Sequence, residues 1–479
     1  MFDHDNPGEA ADAVLAEYLN RKAQDYRALR AEIEGIDEGL KRLSNLKAAA
    51  FGAIEDGDLE EVEILLERVQ EVELEEAAKT AELRADNALL RGKTEQAFRI
   101  LSAAADSFGA VDPDLPADKR HAYMQVLYYH GLRYGGEGLP MSVQMTKDAL
   151  ALTPNNPSLL SAKLQNALAN ALLEQGTRTG GAASAALLAE AVTAYRAALE
   201  IRTRDAHPVD WAMTQNNLGN ALQAQGTRTG GDAGAALLAE AVSAFRAALE
   251  VYTRDAHPVE WAMTQNNLGG ALLEQGTRTG EDAGAALLAE AVTAYRAALE
   301  IRTRDAHPVD WAMTQNNLGN ALQAQGTRTG GAAGAALLAE AVTTFRAALE
   351  VRTRDAHPVD WAATQNNLGI ALQEQGKRTG GAAGAALLAE AVTAYRAALE
   401  VTTRDAHPVD WAETQENMAL AEKARADHET CADSRPHLRA ALAHVEAALE
   451  VYDPEHMAFD YGTATALKAH LEVRIAGSG

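Results

Sequence analysis

The stretch HPVEWAMTQNNLGGALLEQGTRTG at residues 257–280 recurs almost word for word from residues 207, 307 and 357, with a worn copy from 407. A period of fifty residues held over this length means that one supersecondary unit has been copied along the chain. Such units bury their apolar faces by stacking on their neighbours. Independent globular domains are therefore excluded for this part of the protein. The copying has a coarser grain as well. Residues 185–231 are identical to 285–331, whereas 235–281 differ at several positions, so the duplicated unit spans two repeats. Recent duplication explains near-identity without any role for each residue, and this weakens every inference from recurrence alone.

Residues 257–306 show what one unit is made of. His257-Pro258 opens a helix, because proline lacks only an N–H that would be unpaired there. Glu260 follows where an acid meets the helix dipole, and the other copies place Asp210, Asp310, Asp360 and Asp410 there. Trp261, Leu268 and Leu272 share one face of this helix A, and Gly276 is expected to stop it. The following TRTGEDAG reads as a polar loop. A second run then puts Leu288, Ala291, Tyr295, Ala298 and Leu299 on one stripe of a helix B. Composition agrees, since Ala, Leu, Glu, Gln and Arg dominate and aromatic residues make up only 5%.

The Leu268-Gly269 pair, Leu272, and then Ala291, Tyr295 and Ala298 resemble the tetratricopeptide repeat pattern, in register again at Leu218-Gly219, Leu318-Gly319 and Leu368-Gly369. The kinesin light chain type is similar in joining HP to a helix that carries NNL. The resemblance implies an all-α, right-handed solenoid of stacked helical hairpins with helical caps at both ends. It departs from the family in period, which is ~34 residues there. About ten extra residues lie between Gly276 and Ala291, and about six more between helix B and the next helix A. Gln265 holds the usual Trp position and Trp261 sits one turn earlier. Longer helices and an enlarged A-to-B loop are expected.

Along the chain, residues 1–45 read as a charged helical segment, polar on most sides, of the kind that bridges or finds a partner. Residues 46–156 read as irregular hairpins of similar type, and 157–456 as six fifty-residue repeats, the last degenerate. Residues 457–479 form a capping helix and tail, with Tyr461 where Trp would stand. A net charge of −25 sets the long-range field against nucleic acid and anionic membrane. The single cysteine, Cys431, allows no internal disulfide. The N-terminus lacks the basic and apolar regions of a leader, and no segment approaches the ~20 apolar residues of a membrane span. A soluble cytoplasmic protein is expected.

Four rows of residues are candidates for chemistry. His207, His257, His307, His357 and His407 recur, but equivalent points on stacked hairpins lie roughly 10–20 Å apart, too far to share a metal. They mark helix starts. The tryptophans read as core, packed on the preceding helix B, rather than as a stacking platform. Arg228, Arg278 and Arg328, in the TRTG segments with Arg178 and Arg378, form a row that could hold anionic groups or pair with acids of the next repeat. The asparagines lower helix propensity in mid-helix and so ask for a reason. By the resemblance, helix A lines a concave groove in which the second Asn of NNL clamps the backbone of an extended peptide. That role falls on Asn217, Asn267, Asn317 and Asn367, with Asn216, Asn266, Asn316 and Asn366 beside them. The alternative is amide bonding between neighbouring helices that fixes the stack.

No cluster of nucleophile, base and orienter is visible, nor a phosphate-binding glycine loop. The expectation is therefore no enzyme, no cofactor and no metal, but a scaffold or adaptor for a protein or peptide, its oligomeric state open. A second reading is a regulatory or sensor subunit that holds a separate effector enzyme. Bacterial proteins of similar look are often joined to protease-like or nucleotide-signalling partners, with the charged N-terminal helices as docking point. A third reading is a self-assembling spacer.

Overall fold

The protein was analysed as a computed structural model describing residues 7–34, 36–56, 58–153 and 157–477. Readings that touch residues 1–6 and 154–156 lie outside the described residues. Among these the chain is all-α, with no strand. The helices are α1 (Pro7–Glu34), α2 (Ile36–Asp56), α3 (Leu59–Leu90), α4 (Thr94–Ser107), α5 (Leu115–Tyr134), α6 (Gly138–Ala151), α7 (Leu159–Arg178), α8 (Gly181–Ile201), α9 (Pro208–Arg228) and α10 (Gly231–Leu249). They continue with α11 (Pro258–Arg278), α12 (Glu281–Leu299), α13 (Pro308–Arg328), α14 (Gly331–Leu349), α15 (Pro358–Arg378), α16 (Gly381–Leu399), α17 (Pro408–Asp427), α18 (Arg435–Leu449) and α19 (Ala458–Gly477). Residues 11–237 cluster into one compact unit, and those from 238 onward into another.

In the second unit consecutive helices pack as antiparallel pairs, α11 on α12, α13 on α14, α15 on α16 and α17 on α18, and each pair stacks on the next. The architecture is an all-α solenoid of stacked helical hairpins. The start of each helix A follows from its sequence: His257 is the N-cap with φ −140°, Pro258 comes first in the helix, and the His257 carbonyl accepts from Trp261 N at 2.8 Å. The connector before it is closed by Thr253, whose Oγ1 accepts from Ala256 N at 3.3 Å.

Between the helices of a pair the core is built from Ala262, Leu268, Ala271 and Leu272 against Leu288, Ala291, Val292, Tyr295 and Ala298, all buried. A methyl on Gly269 would lie 2.8 Å from the Tyr295 ring, so the Leu-Gly pair exists to let that ring lie against the backbone.

Three expectations need correction. Helix A does not stop at Gly276; it runs on to Arg278. Gly276 is small because the Leu288 side chain lies 3.1 Å from where its Cβ would be. The TRTGEDAG stretch is not a long loop, since Thr279 and Gly280 alone join α11 to α12. Thr277 Oγ1 donates to Glu274 O at 3.0 Å and Thr279 Oγ1 to Gln275 O at 2.7 Å. These polar residues are thus satisfied by the carbonyls of the helix they seemed to break, and the extra residues of the period lengthen both helices. The tryptophans are half-buried at the edge of the core instead of inside it, and Trp411 packs against the buried cluster of Ala412, Ala419, Leu438 and Val445. Trp311 and Trp411 carry Arg304 and Arg404 over their rings at 5.9 and 5.8 Å. Among the described residues the fully buried aromatics are Tyr195, Phe245, Tyr295, Phe345 and Tyr395, all of helix B.

One helix, α14, does reach the length and apolar composition of a membrane span. Its Leu338, Val342 and Phe345 are buried within the stack like their counterparts in α12 and α16.

The first unit begins with longer, less regular helices. Asp58 caps α3 by accepting from Glu61 N at 3.1 Å, and Gly92, with φ +70°, turns the chain from α3 into α4. Helix α1 is held by Asp25, which pairs with Arg133 at 3.0 Å and accepts from the Tyr134 hydroxyl, while Lys22 sits 4.1 Å above the Tyr134 ring. The regular hairpin α7/α8 follows α5/α6.

Candidate functional site

Each helix A presents one stripe that is neither core nor fully exposed. In α13 it comprises Met313, Asn317, Asn320 and Ala324, spaced as one face of a helix and all half-buried. The counterparts are Met263, Asn267, Gly270 and Glu274 in α11, and Asn367, Ile370 and Glu374 in α15, with Ala363 exposed above them. The outer face of helix B, by contrast, is open to solvent at Thr293, Arg296 and Glu300.

The asparagines form a ladder along this stripe. Asn317 Nδ2 donates to Asn266 Oδ1 at 3.2 Å, Asn367 to Asn316 at 3.2 Å, and Asn417 to Asn366 at 3.2 Å. The second Asn of one repeat therefore bonds back to the first Asn of the repeat before. Asn266 and Asn316 are buried and Asn366 is half-buried; Asn267, Asn317 and Asn367 are half-buried. In the first unit the same row runs through Asn170, whose Oδ1 accepts from Asn217 Nδ2 at 3.5 Å and from the Tyr195 hydroxyl at 2.6 Å, while Asn216 is buried. A carboxamide offers two N–H donors and an oxygen with two lone pairs, and the inter-repeat bond uses one N–H of Asn317 and Asn367.

Asn170 and Asn417 were not singled out from the sequence. Asn417 stands fifty residues after Asn367 in a copy whose NNL has become ENM, and Asn170 lies four residues after Asn166, where the first repeat has Asn166-Ala167 in place of the Asn-Asn pair. Register was the signal for Asn417, whereas Asn170 lies off the register of the asparagine pair and no sequence signal pointed to it.

The arginine row lies at the far end of helix A. Arg328 Nη1 donates to Gly276 O at 2.8 Å and Thr279 O at 3.2 Å, and its Nη2 to Thr277 O at 2.6 Å. Arg378 does the same to Gly326, Thr329 and Thr327, and Arg228 reaches Thr177 O at 3.1 Å. A cation placed on the last carbonyls of a helix meets both its unpaired acceptors and the negative end of its dipole. Arg278 lies 3.9 Å from Glu274 of its own helix. For Arg328 and Arg378 the pairing with acids of the next repeat that the sequence suggested is replaced by contact with carbonyls of the preceding one. Gly284 makes room for this, since its Cβ would lie 2.2 Å from Arg328 Nη1.

A third row was missed. Arg302 and Arg352 are buried at the end of helix B and donate to Thr314 and Thr364 at 3.1 Å, with Asp310 and Asp360 4.0 and 3.7 Å away. Burial lowers the pKa of both guanidiniums, and the nearby aspartates work against that. A Tyr at 252 and a Thr at 402 interrupt the row, which hid it from a reading by recurrence.

The five helix-start histidines are N-caps, each one repeat from the next. Among the described residues no group of three or more His, Cys, Asp or Glu could hold a metal ion.

No protein-family model matches the chain, and no curated protein matches it. Among solved structures the chain is similar to the apo form of RapI, with 11% identity and a TM-score of 0.42 over 91% of this chain and 98% of that one. It is also similar to a circular tandem repeat protein, with 16% identity and a TM-score of 0.28 over 92% and 97%. A third likeness is to the TPR domain of P58(IPK), with 13% identity and a TM-score of 0.23 over 90% of this chain and 99% of that one. Superpositions this loose bear on neither function nor site.

Proposed function

We propose that the protein is a soluble interaction scaffold whose array holds an extended segment of another protein on the half-buried stripe of its A helices. The observation behind this is the amide ladder. Asn317 and Asn367 each spend one N–H on the repeat before and keep an oxygen and a second N–H at the stripe, spaced one repeat apart. An extended backbone has unpaired N–H and C=O groups that match such amides, and Met263 and Met313 beside them offer adaptable apolar contact. The kinesin light chain likeness, NNL on a helix opened by HP, points the same way. In this reading the helix-end arginines Arg228, Arg278 and Arg328 serve the stack first and anion capture second. The protein is a binder without catalysis, acting in the cytoplasm.

The test is selection of a random-peptide display library on the full chain, followed by affinity measurement of the enriched peptides. Asn317→Ala with Asn367→Ala should weaken binding roughly tenfold, since each amide contributes about 0.5–1.5 kcal/mol. Unchanged affinity together with a lowered melting temperature would assign the ladder to stacking alone. Unchanged affinity and unchanged stability would move the site to the arginine row.

A further inference from the structure

The hairpin α2/α3 carries more apolar side chains than its own seam uses. The seam is made by Ala50 of α2 and by Val62, Leu65, Val69 and Val72 of α3, all buried, at alternating spacings of three and four along α3. Beside it stand Phe51, 69% exposed, Ile54, 53%, Leu59, 74%, and Leu66, 49%. These four belong to one flank. Lys47 pairs with Glu73 at 2.7 Å and fixes the antiparallel register, which puts Ile54 across from Leu66 and Phe51 across from Val69. Leu59 and Leu66 are seven residues apart, on the same shoulder of α3, and the shoulder of α2 that bears Phe51 and Ile54 turns to the same side. Four large apolar side chains together in water mark a contact surface rather than scattered exposure.

The border of this flank is acidic. Glu55, Glu63 and Glu67 are exposed around it, and its one cation, Lys47, is tied to Glu73. Other cations of the hairpin lie on the opposite flank, where Lys41, Arg42 and Arg68 line a separate hollow and Arg42 pairs with Glu75 at 3.7 Å. A second copy of this chain would bring glutamates against glutamates, which opposes pairing. A helix with an apolar stripe and Lys or Arg along both edges meets the leucines and phenylalanine with one face and the glutamates with the other. We infer that the α2/α3 flank around Phe51, Ile54, Leu59 and Leu66 docks a basic amphipathic helix of a partner protein. This surface is separate from the stripe of the A helices and does not depend on that reading.

The test uses the full chain and a labelled peptide of leucine and lysine, about 18 residues or five turns long, with its leucines on one helical face. A control peptide has the same composition in scrambled order. Fluorescence anisotropy at physiological salt should show saturable binding of the first peptide and at least roughly tenfold weaker binding of the scramble. Phe51→Ser with Leu66→Ser should weaken the first peptide roughly tenfold or more at unchanged helix content. Should that variant lose helicity, Glu63→Lys with Glu67→Lys replaces it, and the same weakening is expected.

Asn317→Ala with Asn367→Ala should bind the peptide like the parent chain. Loss in that variant instead would place the peptide on the A helices and overturn the inference while leaving the groove reading intact. Equal binding of the scrambled peptide, or equal binding by the flank variants, would reduce the effect to net charge and also overturn it. Self-association of the parent chain in sedimentation, abolished by Phe51→Ser with Leu66→Ser, would assign the flank to a second copy and overturn it too.

Discussion

The regular repeat α15/α16 and the closing repeat α17/α18 stand side by side in the same stack, and they differ in an ordered way. The closing repeat keeps the groups that face the repeat before it and drops several that would face a repeat after it. Asn417 still donates to Asn366. The position that would accept from a following repeat is Glu416 instead of Asn, and α19 has Leu467 where the donor would stand. Where Arg378 grips carbonyls of the preceding helix, His428 takes its place with Nε2 3.2 Å from Thr379 O. Glu450 still pairs with Arg404 at 2.7 Å, while the next arginine of that outer row is replaced by Pro454. A cap of this kind is a repeat with much of its forward-facing half erased. The degenerate copy therefore tells which rows serve stacking, something that near-identical copies could not show.

The largest expected effect comes from the core. Tyr395 is fully buried against Gly369, and in the closing repeat the same pair has become Val445 against Ala419. The small and large partners have been traded for two of middle size. Tyr395→Ala should cost about 3–5 kcal/mol in local unfolding, whereas Val445→Ala should cost about half as much or less, because fewer buried atoms are removed. Hydrogen exchange resolved by peptide measures both. Protection lost evenly over all repeats after Tyr395→Ala would break the picture of neighbour-limited stability.

The clasp at the helix end comes next. Arg378→Gln removes charge-assisted bonds to three carbonyls and should destabilise the junction of α13/α14 with α15 by about 1–2 kcal/mol. His428→Gln should cost less, since one carbonyl is involved. Equal effects in thermal denaturation would show that the backward contact does not scale with its bonds.

Smaller still is the charge at the ladder's end. Burial, joined by Asp460, raises the pKa of Glu416, against the bonds it accepts from Tyr452 and Thr463. A carboxyl raised above its unfolded value of ~4.3 stabilises the fold when protonated, and this gain is lost as pH rises through the folded value. The closing repeat should accordingly gain protection when pH falls from neutral toward that value. Glu416→Gln should raise its stability at neutral pH and flatten the dependence. A variant with the parent's pH profile would assign that profile to another group.

The smallest effect is expected on the outer face. Arg304 and Glu350 are both about half exposed, at 53%. Arg304→Gln should therefore change stability by less than ~1 kcal/mol. An effect as large as that of Arg378→Gln would mean that the outer ion pairs, rather than the clasp, hold the repeats in line.

Much of this fold was legible in the sequence because helical periodicity and a fixed period are facts about burial, and burial decides architecture. The proline that opens α9, α11, α13, α15 and α17 and the stripe of helix B could be placed to the residue, and the Leu-Gly pair was visible as a pattern though not as the seat of the aromatic ring. What misled was polarity read as looseness. Thr277, Thr279 and Arg278 carry the composition of a loop, yet the threonines turn their hydroxyls back onto the carbonyls of their own helix. The tryptophans were placed too deep because size suggested full burial, whereas the rings are half-buried at the core edge and Arg304 lies over that of Trp311. The candidate site was half legible. The asparagines stood out by their low helix propensity, but propensity cannot say that one amide would bond to the next repeat, a contact about fifty residues away.

The backward contacts make two successive junctions of the array, α11 with α13 and α13 with α15, the same joint. An amide of one repeat meets an amide of the last, and an arginine meets the same three carbonyls, at Arg328 and again at Arg378. Residues 185–231 and 285–331 are identical, so unequal crossing-over between them would remove or add one hundred residues and leave seams of matching sequence. Recombination there would change the length of the chain in steps of two repeats, and the number of rungs on the proposed groove would change with it.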